Sequence, residues 1–225
     1  MSMFNRSVLL VVLAAVFAGL GLLAAQHWFE RGPQRSAPAL EAMIPFATPR
    51  PIPPFELVSA AGPVTEASLR GRWTVVFIGF VSCPDVCPTT LTDMAKAQRA
   101  WDALPEATRP RLLFVSIDPE RDTPELLAGY ARFFHPQTVA ATQPDAAKLE
   151  AFTTSLSLVF RKVEQGESYT MDHSGSMVVL DPEVRVAGVI RPRMPEGATP
   201  TSGAIATIDP QAVARDLAAL AGAGA

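Results

Sequence analysis

A single α/β domain behind one N-terminal membrane-spanning helix is the architecture that this sequence of 225 residues predicts. Three observations carry it. Residues 8–25 form an unbroken apolar run. Prolines then recur at 33, 38, 45, 49, 51, 53 and 54. Beyond residue 55, short β-rich apolar runs alternate with amphipathic, capped helical stretches.

Taken in order, residues 1–7 are a short N-terminus and 8–25 the expected anchor. Eighteen helical residues span about 27 Å, close to the roughly 30 Å hydrocarbon core of a bilayer. Arg6 precedes the run, and Trp28 and Phe29 stand where an aromatic belt belongs. Leu-Ala-Ala-Gln at 23–26 is a poor small-x-small cleavage site, so an uncleaved anchor is expected rather than a signal peptide. No cysteine follows the run, which excludes lipoprotein anchoring. The orientation expected is N-inside, with the rest exported: a single-pass protein of a bacterial inner membrane, its globular domain on the periplasmic side. Ala15 and Gly19 form a small-xxx-small pair that could serve a homodimer. Residues 26–54 read as a Pro-rich linker, because such a stretch holds neither a helix nor a central strand.

Residues 55–221 read as the folded domain, with 222–225 a tail. Residues 73–80 (WTVVFIGF) and 112–117 (LLFVSI) are apolar runs of the kind buried on both sheet faces. Between them, 90–104 carries Leu91, Met94, Ala95, Gln98, Trp101 and Leu104 near one helical stripe. Thr123-Pro124 opens a helix to about 134, as N-cap and first position. A further helix is expected at 144–156 and an edge strand at 158–163. Strands 176–180 and 184–190 form an antiparallel pair across Asp181-Pro182-Glu183, then come a surface loop at 191–207 and a closing helix at 210–220 capped by Asp209. A βαβ unit followed by a ββα unit is the thioredoxin-like (peroxiredoxin-like) arrangement. Its sites form beyond the carboxyl ends of the parallel strands.

Composition narrows the chemistry. Apolar residues make up 48% of the chain, enough for a packed core. Lys and Arg number 19 against 22 Asp and Glu, net −3, which gives no electrostatic footprint for nucleic acid. The only cysteines are Cys83 and Cys87, so a multi-disulfide scaffold and a four-cysteine zinc site are excluded.

Those two thiols lie where the first buried strand enters a helix. Free amide donors at a helix start favour thiolates. Three residues separate them. Helical positions i and i+4 stand about 5–6 Å apart, wider than the 3.5–4.5 Å between Cβ atoms of a disulfide. An ion between two sulfurs tolerates the wider pair, and soft thiolates select Cu(I) or Zn. His173 is the third donor expected: it precedes strand 176–180, which should run antiparallel to the cysteine strand and so begin at the same edge. Asp172 is expected to orient its ring. His27 borders the anchor, His135 ends a helix where it opposes the dipole, and Met171 reads as core. Asp118 and Arg121 leave the second strand at the same edge, with Asp122 and Thr123 read as turn and cap.

The segment Gly79-Phe-Val-Ser-Cys-Pro-Asp-Val-Cys-Pro-Thr-Thr-Leu91 resembles the signature of the Sco/SenC copper-binding proteins, as do Ser116-Ile-Asp-Pro-Glu-Arg-Asp-Thr-Pro124 and Asp172-His-Ser174. The resemblance covers about residues 55–221. It implies that Cys83, Cys87 and His173 are copper ligands, for Cu(I), Cu(II) or both. It also implies a role in assembling the copper A centre of cytochrome c oxidase, as copper donor, thiol reductant or both. The partner implied is the copper-receiving subunit of the oxidase or another copper protein. Val184 stands where the family often has a turn glycine, Ala141-Thr142 replaces a common Thr-Gly, and the 191–207 loop is longer than usual. Beside the metallochaperone stands a thiol–disulfide oxidoreductase acting through the same cysteines. A peroxidase is disfavoured, since no Pro-x-x-x-Thr/Ser-x-x-Cys pattern precedes Cys83.

Overall fold

The computed structural model describes residues 3–30, 39–198 and 204–223. It divides into two compact units, Met1–Ala37 and Pro38–Ala225. In the first, helix α1 (Met3–Glu30) contains the apolar run. Among the described residues no helix is long and apolar enough to cross a membrane. A spanning role for 8–25 therefore rests on the sequence.

The second unit is built on a six-stranded sheet in the order β1 (Met43–Pro51), β10 (Arg185–Ile190), β9 (Met177–Leu180), β4 (Thr74–Gly79), β5 (Arg111–Ser116), β6 (Val139–Ala141). Its centre is as expected. Strands β4 (Thr74–Gly79) and β5 (Arg111–Ser116) are parallel neighbours in register from Thr74↔Arg111 to Gly79↔Ser116. All six residues of β4 are buried, so alternate side chains feed two cores. Val75 and Phe77 meet α3 (Val86–Trp101), α4 (Pro124–Phe134) and α6 (Pro210–Ala223) in one core, through Leu91, Met94, Leu127, Val213 and Leu217. Val76 and Ile78 meet Leu149 and Phe152 of α5 (Ala146–Ser155) in the other. The caps act as predicted: Thr123 Oγ1 accepts from Leu126 N at 3.3 Å, and Asp209 Oδ1 from Gln211 N and Ala212 N at 2.9 and 3.0 Å.

Strands β9 (Met177–Leu180) and β10 (Arg185–Ile190) form the expected pair, and β9 runs antiparallel to β4. Their turn needs a left-handed residue. Val184 supplies it at φ 64° although a β-branched side chain disfavours that region. Asp181 Oδ1 braces the turn by accepting from Glu183 N and Arg185 N at 3.0 and 2.9 Å.

The linker expected over 26–54 is corrected at its start, where 26–30 continue helix α1, and in its second half; residues 31–38 lie outside the described residues. Met43–Pro51 forms strand β1, paired antiparallel with β10. Proline excludes a central strand but is tolerated at an edge, where a missing N–H costs little. The ladder skips between Pro45 and Arg50, across Pro49. Buried Asp216 of α6 fastens the strand's start: its carboxylate accepts from Glu41 N at 3.0 Å, Ala42 N at 2.8 Å and Met43 N at 2.9 Å.

Several short elements carry no readable period. They are the hairpin β2 (Glu56–Ser59) and β3 (Gly62–Thr65), the turn of helix α2 (Glu66–Leu69), and β6 (Val139–Ala141), parallel to β5. The edge strand expected at 158–163 is β7 (Phe160–Gln165). It pairs not with the main sheet but with β8 (Ser168–His173), in a separate two-stranded ribbon.

Candidate metal centre

The cysteine loop begins where β4 ends. Helix α3 starts at Val86, four residues before the expected start, so Cys87 lies in its first turn. Pro88 is tolerated there because first-turn N–H groups need no helical acceptor. Asp85, at the N-cap, makes no side-chain cap bond. Instead Cys87 N–H donates to Cys83 Sγ at 3.4 Å, so a sulfur takes the capping role. Cys83 N–H in turn donates to Phe80 O at 3.3 Å. Gly79 makes the close fit possible: a Cβ there would stand 2.7 Å from Cys87 Sγ and 3.0 Å from Phe114 Cε2.

The two thiols are free and unequal. Cys87 is fully buried while Cys83 is half-buried. The Cys87 thiol's hydrogen bond pulls Cys83 down to about 4, against the opposing effect of burial; His173 and the N–H groups of Cys87 and Asp85 pull the same way. Cys87 moves up, because its proton serves the Cys83 thiolate and because burial disfavours its charge. At neutral pH the pair holds one half-buried thiolate and one buried thiol.

His173 ends β8 and reaches the same edge. Its Nε2 stands 3.8 Å from Cys87 Sγ. Its Nδ1 lies 3.0 Å from Ser174 O. A carbonyl only accepts, so Nδ1 carries a ring hydrogen; the neutral ring then has its lone pair on Nε2, the nitrogen on the thiol side, and the charged ring can donate from Nε2 to the Cys83 thiolate. Phe77 and Phe80 hold the ring edge-on, with centroids at 6.3 and 6.2 Å. The expected Asp172 orienter is corrected: exposed Asp172 pairs with Arg161 at 3.0 Å across the ribbon, and Ser174 O supplies the orienting acceptor. The reason is the period of two in a strand, which turns Asp172 to the opposite face from His173.

The other candidates stay out. Met171 is buried in the second core, as expected. His135 is buried at the end of α4, with Nδ1 accepting from Gln137 N at 3.3 Å and Nε2 3.1 Å from Asp102 Oδ2. The His27 side chain lies outside the described residues. Among the described residues no three His, Cys, Asp or Glu side chains are already closed into a group that could hold a metal ion. Cys87 and His173 are adjacent, but the donors are not drawn around one centre.

Three groups beside the thiols carry no motif signal of this role. Asp122 is buried; its Oδ2 accepts from Val81 N at 2.9 Å and Ser116 Oγ at 2.6 Å, and so fixes the cysteine loop to the turn after β5. Burial pushes its carboxyl up. The Tyr130 hydroxyl is buried with no hydrogen-bond partner among the described residues, and burial, with the nearby thiols, raises its pKa. Arg121 and Asp118 face inward and bond each other. A shallow cavity of about 310 Å³, lined by Val159, Phe160, Arg161, Asp172, His173 and Ser174, opens beside the imidazole.

The SCO1/SenC family model matches residues 47–210. A protein of Stutzerimonas stutzeri described as copper-binding is 36% identical over 146 residues, 63% of this chain and 70% of that relative. SCO1 homolog 1, a mitochondrial protein of Arabidopsis thaliana, is 34% identical over 140 residues; the match takes in 58% of this chain but only 39% of the plant protein. Among solved structures, Bradyrhizobium japonicum ScoI with copper bound superposes with a TM-score of 0.59 at 31% identity, covering 75% of this chain and 98% of that one.

Proposed function

The chain belongs to the SCO1/SenC family, and on that premise we propose that it is a metallochaperone. It takes copper on Cys83, Cys87 and His173 and passes it to a copper protein, the copper A subunit of cytochrome c oxidase in the first instance. The observation that carries this reading is the placement of the His173 ring between Ser174 O and the thiols. With Nδ1 tied to Ser174 O, the Nε2 lone pair stands 3.8 Å from Cys87 Sγ. Ligating histidines characteristically donate their second ring N–H to such an acceptor. The separation also fits one ion shared by both atoms. Bonds of about 2.3 Å to sulfur and about 2.0–2.1 Å to nitrogen, opened to 120°, part the two donors by about 3.8 Å. Two thiolates and an imidazole are a soft set, suited to Cu(I). The copper descriptions of the Stutzerimonas and Bradyrhizobium relatives point the same way.

Loading costs protons. Cys83 is already thiolate at neutral pH, so it captures the ion first, and Cys87 gives up its proton as the ion arrives. No electron moves in loading Cu(I).

The same inequality of the thiols supports a second reading, a thiol–disulfide reductase. There the Cys83 thiolate attacks a partner's disulfide, expelling one partner thiolate and forming a mixed disulfide. Cys87, deprotonated, attacks Cys83 Sγ; the partner leaves with both thiols reduced and this chain with a Cys83–Cys87 disulfide. Two electrons pass from this pair to the partner. The apolar run 8–25, whose described side chains stand exposed along α1, supports a membrane tether with the domain held outside the cytoplasm.

Competition titration of the full chain separates the two. One Cu(I) per chain is expected, weakened by Cys83→Ser or Cys87→Ser and, by about ten- to a hundredfold, by His173→Ala. Unchanged copper binding in His173→Ala, with an altered thiol potential, would leave the reductase reading standing and remove the histidine from the ligand set.

A further inference from the structure

The imidazole sits at the end of a two-stranded ribbon outside the main sheet. Among the described residues ribbon β7–β8 pairs with no other strand, and a lone two-stranded hairpin is marginal in water. Something besides the ladder must hold His173 at the thiols.

The odd-numbered residues of β8 share one face. Met171 is a core plug, His173 the proposed ligand, and Tyr169 the third of the set. Arg121 Cζ and Lys162 Nζ each stand 3.8 Å from the centroid of the Tyr169 ring. The Tyr169 hydroxyl donates to Asp118 Oδ1 at 2.8 Å, and its carbonyl accepts from Arg121 Nη1 at 3.1 Å. Arg121 Nε bonds the other oxygen of the buried Asp118. Lys162 closes the circuit on Glu120 at 2.9 Å.

Asp118, Glu120 and Arg121 belong to the turn leaving β5, the same turn whose Asp122 holds Val81 N in the cysteine loop. One five-residue bracket, 118–122, therefore grips both halves of the donor set from its two ends. Asp122 takes the thiol side; Asp118 and Arg121 take the imidazole side through Tyr169.

We infer that Tyr169 and Arg121 are positioning residues for His173: their clamp carries the imidazole to a thiol pair that the other end of the same turn, Asp122, holds. The inference rests on the ligand set proposed above. With the clamp closed the centre offers three donors; with it open it offers two sulfurs. The chain's grip on copper, above all on Cu(II) with its preference for nitrogen, is then set some four residues away from any ligand.

The test is Tyr169→Ala in the full chain, with two readouts. In the metal-free protein, amide hydrogen exchange over 160–173 should quicken at least tenfold while β4 and α3 keep their protection. With copper, Cu(II) affinity should fall by about tenfold or more, yet the same substitution added to His173→Ala should change affinity less than about twofold, since nothing is left to position. Tyr169→Phe keeps the ring beside its two cations and loses only the bond to Asp118, so it should fall between; it carries both readouts if Tyr169→Ala loosens the whole domain. Unchanged exchange in the ribbon overturns the clamp. An equal loss of affinity with and without His173 overturns its link to the imidazole. Should His173→Ala alone leave copper binding intact, the ligand assignment fails, and the exchange readout still decides the clamp.

Discussion

Gly79→Ala puts the packing at the thiol pair to a quantitative test. The added methyl would lie 2.7 Å from Cys87 Sγ and 3.0 Å from Phe114 Cε2. Ordinary contact begins near 3.4 Å, so the sulfur must retreat by at least about 0.7 Å or the methyl must stay compressed. Neither neighbour is a loose chain end: Cys87 is buried in the first turn of α3, and Phe114 is wedged between Phe77 and Tyr130. Overpacking of this kind costs about 1–3 kcal/mol. Where that energy surfaces depends on what moves. If Cys87 holds, the apoprotein is destabilised by the full amount; at about 2–4 °C per kcal/mol for a domain of this size, Tm falls by roughly 2–12 °C and copper affinity is unaltered. If Cys87 yields, stability is spared, but binding must push the sulfur back. Then about 1–3 kcal/mol appears as a loss in Cu(I) affinity of roughly five- to 150-fold. The two losses together should come to about 1–3 kcal/mol. Thermal denaturation of the apoprotein and Cu(I) competition titration of the same preparation measure both. A variant that matches the parent in each within about 0.5 kcal/mol would refute the close approach of β4 to Cys87.

Alkylation should single out Cys83. With its pKa lowered to about 4, it is thiolate throughout pH 5.5–8, so its iodoacetamide rate should be nearly flat there and fall about tenfold per unit only below pH 4. An ordinary thiol near 8.5 would instead climb almost tenfold per unit; that slope at Cys83, or modification of buried Cys87 first, would contradict the shared-proton pair. Oxidation to a Cys83–Cys87 disulfide should abolish Cu(I) binding with little change in far-UV dichroism, because both sulfurs leave the donor set together; stoichiometric Cu(I) retained by the fully oxidised chain counts against it. Asp216→Ala should destabilise the domain by about 2–4 kcal/mol, since it strands the buried backbone donor of Met43 and the partly buried donors of Glu41 and Ala42, and should speed exchange in β1; a loss under about 1 kcal/mol in denaturant unfolding would show that segment 41–43 is held by other means.

What the sequence revealed and what it concealed divide along physical lines. Strands β4 and β5, helices α4 and α6 and the cysteine loop were legible because a buried strand, an amphipathic helix and a cap each leave a local signature. The antiparallel course of β9 followed from topology, and it brought His173 to the right edge. The concealed parts are those decided by distant partners. Strand β1 reads as linker because its prolines forbid a central strand, and only the buried carboxylate of Asp216, 173 residues beyond Met43, makes an edge strand of it. Ribbon β7–β8 was half seen: the polar alternation of Ser168 to His173 buries only Met171 fully. Asp172 was misassigned for the same reason, since a loop residue beside a histidine can turn to it whereas a strand residue cannot. Asp122 presents the local spacing of a turn, and nothing local announces that its second oxygen holds Val81.

The choice between chaperone and reductase therefore does not lie in the cysteines. Both readings need one accessible thiolate and one buried thiol, and both use the Cys87 hydrogen bond that lowers Cys83. A reductase gains nothing from an imidazole locked in one tautomer; a donor that shuttled protons to the thiols would have to exchange its ring hydrogen, and the bond from Nδ1 to Ser174 O opposes that by keeping the hydrogen on the far nitrogen. A metal site gains directly, because a lone pair fixed on Nε2 is a ligand already oriented, and the entropy of holding it there has been met by Phe77, Phe80 and the Tyr169 clamp before any ion arrives. Since the donors are adjacent but not yet closed around a centre, closure is left to the ion. On the chaperone reading, a centre closed only by the ion would let a partner's ligands replace the imidazole one bond at a time, as handing a metal on requires.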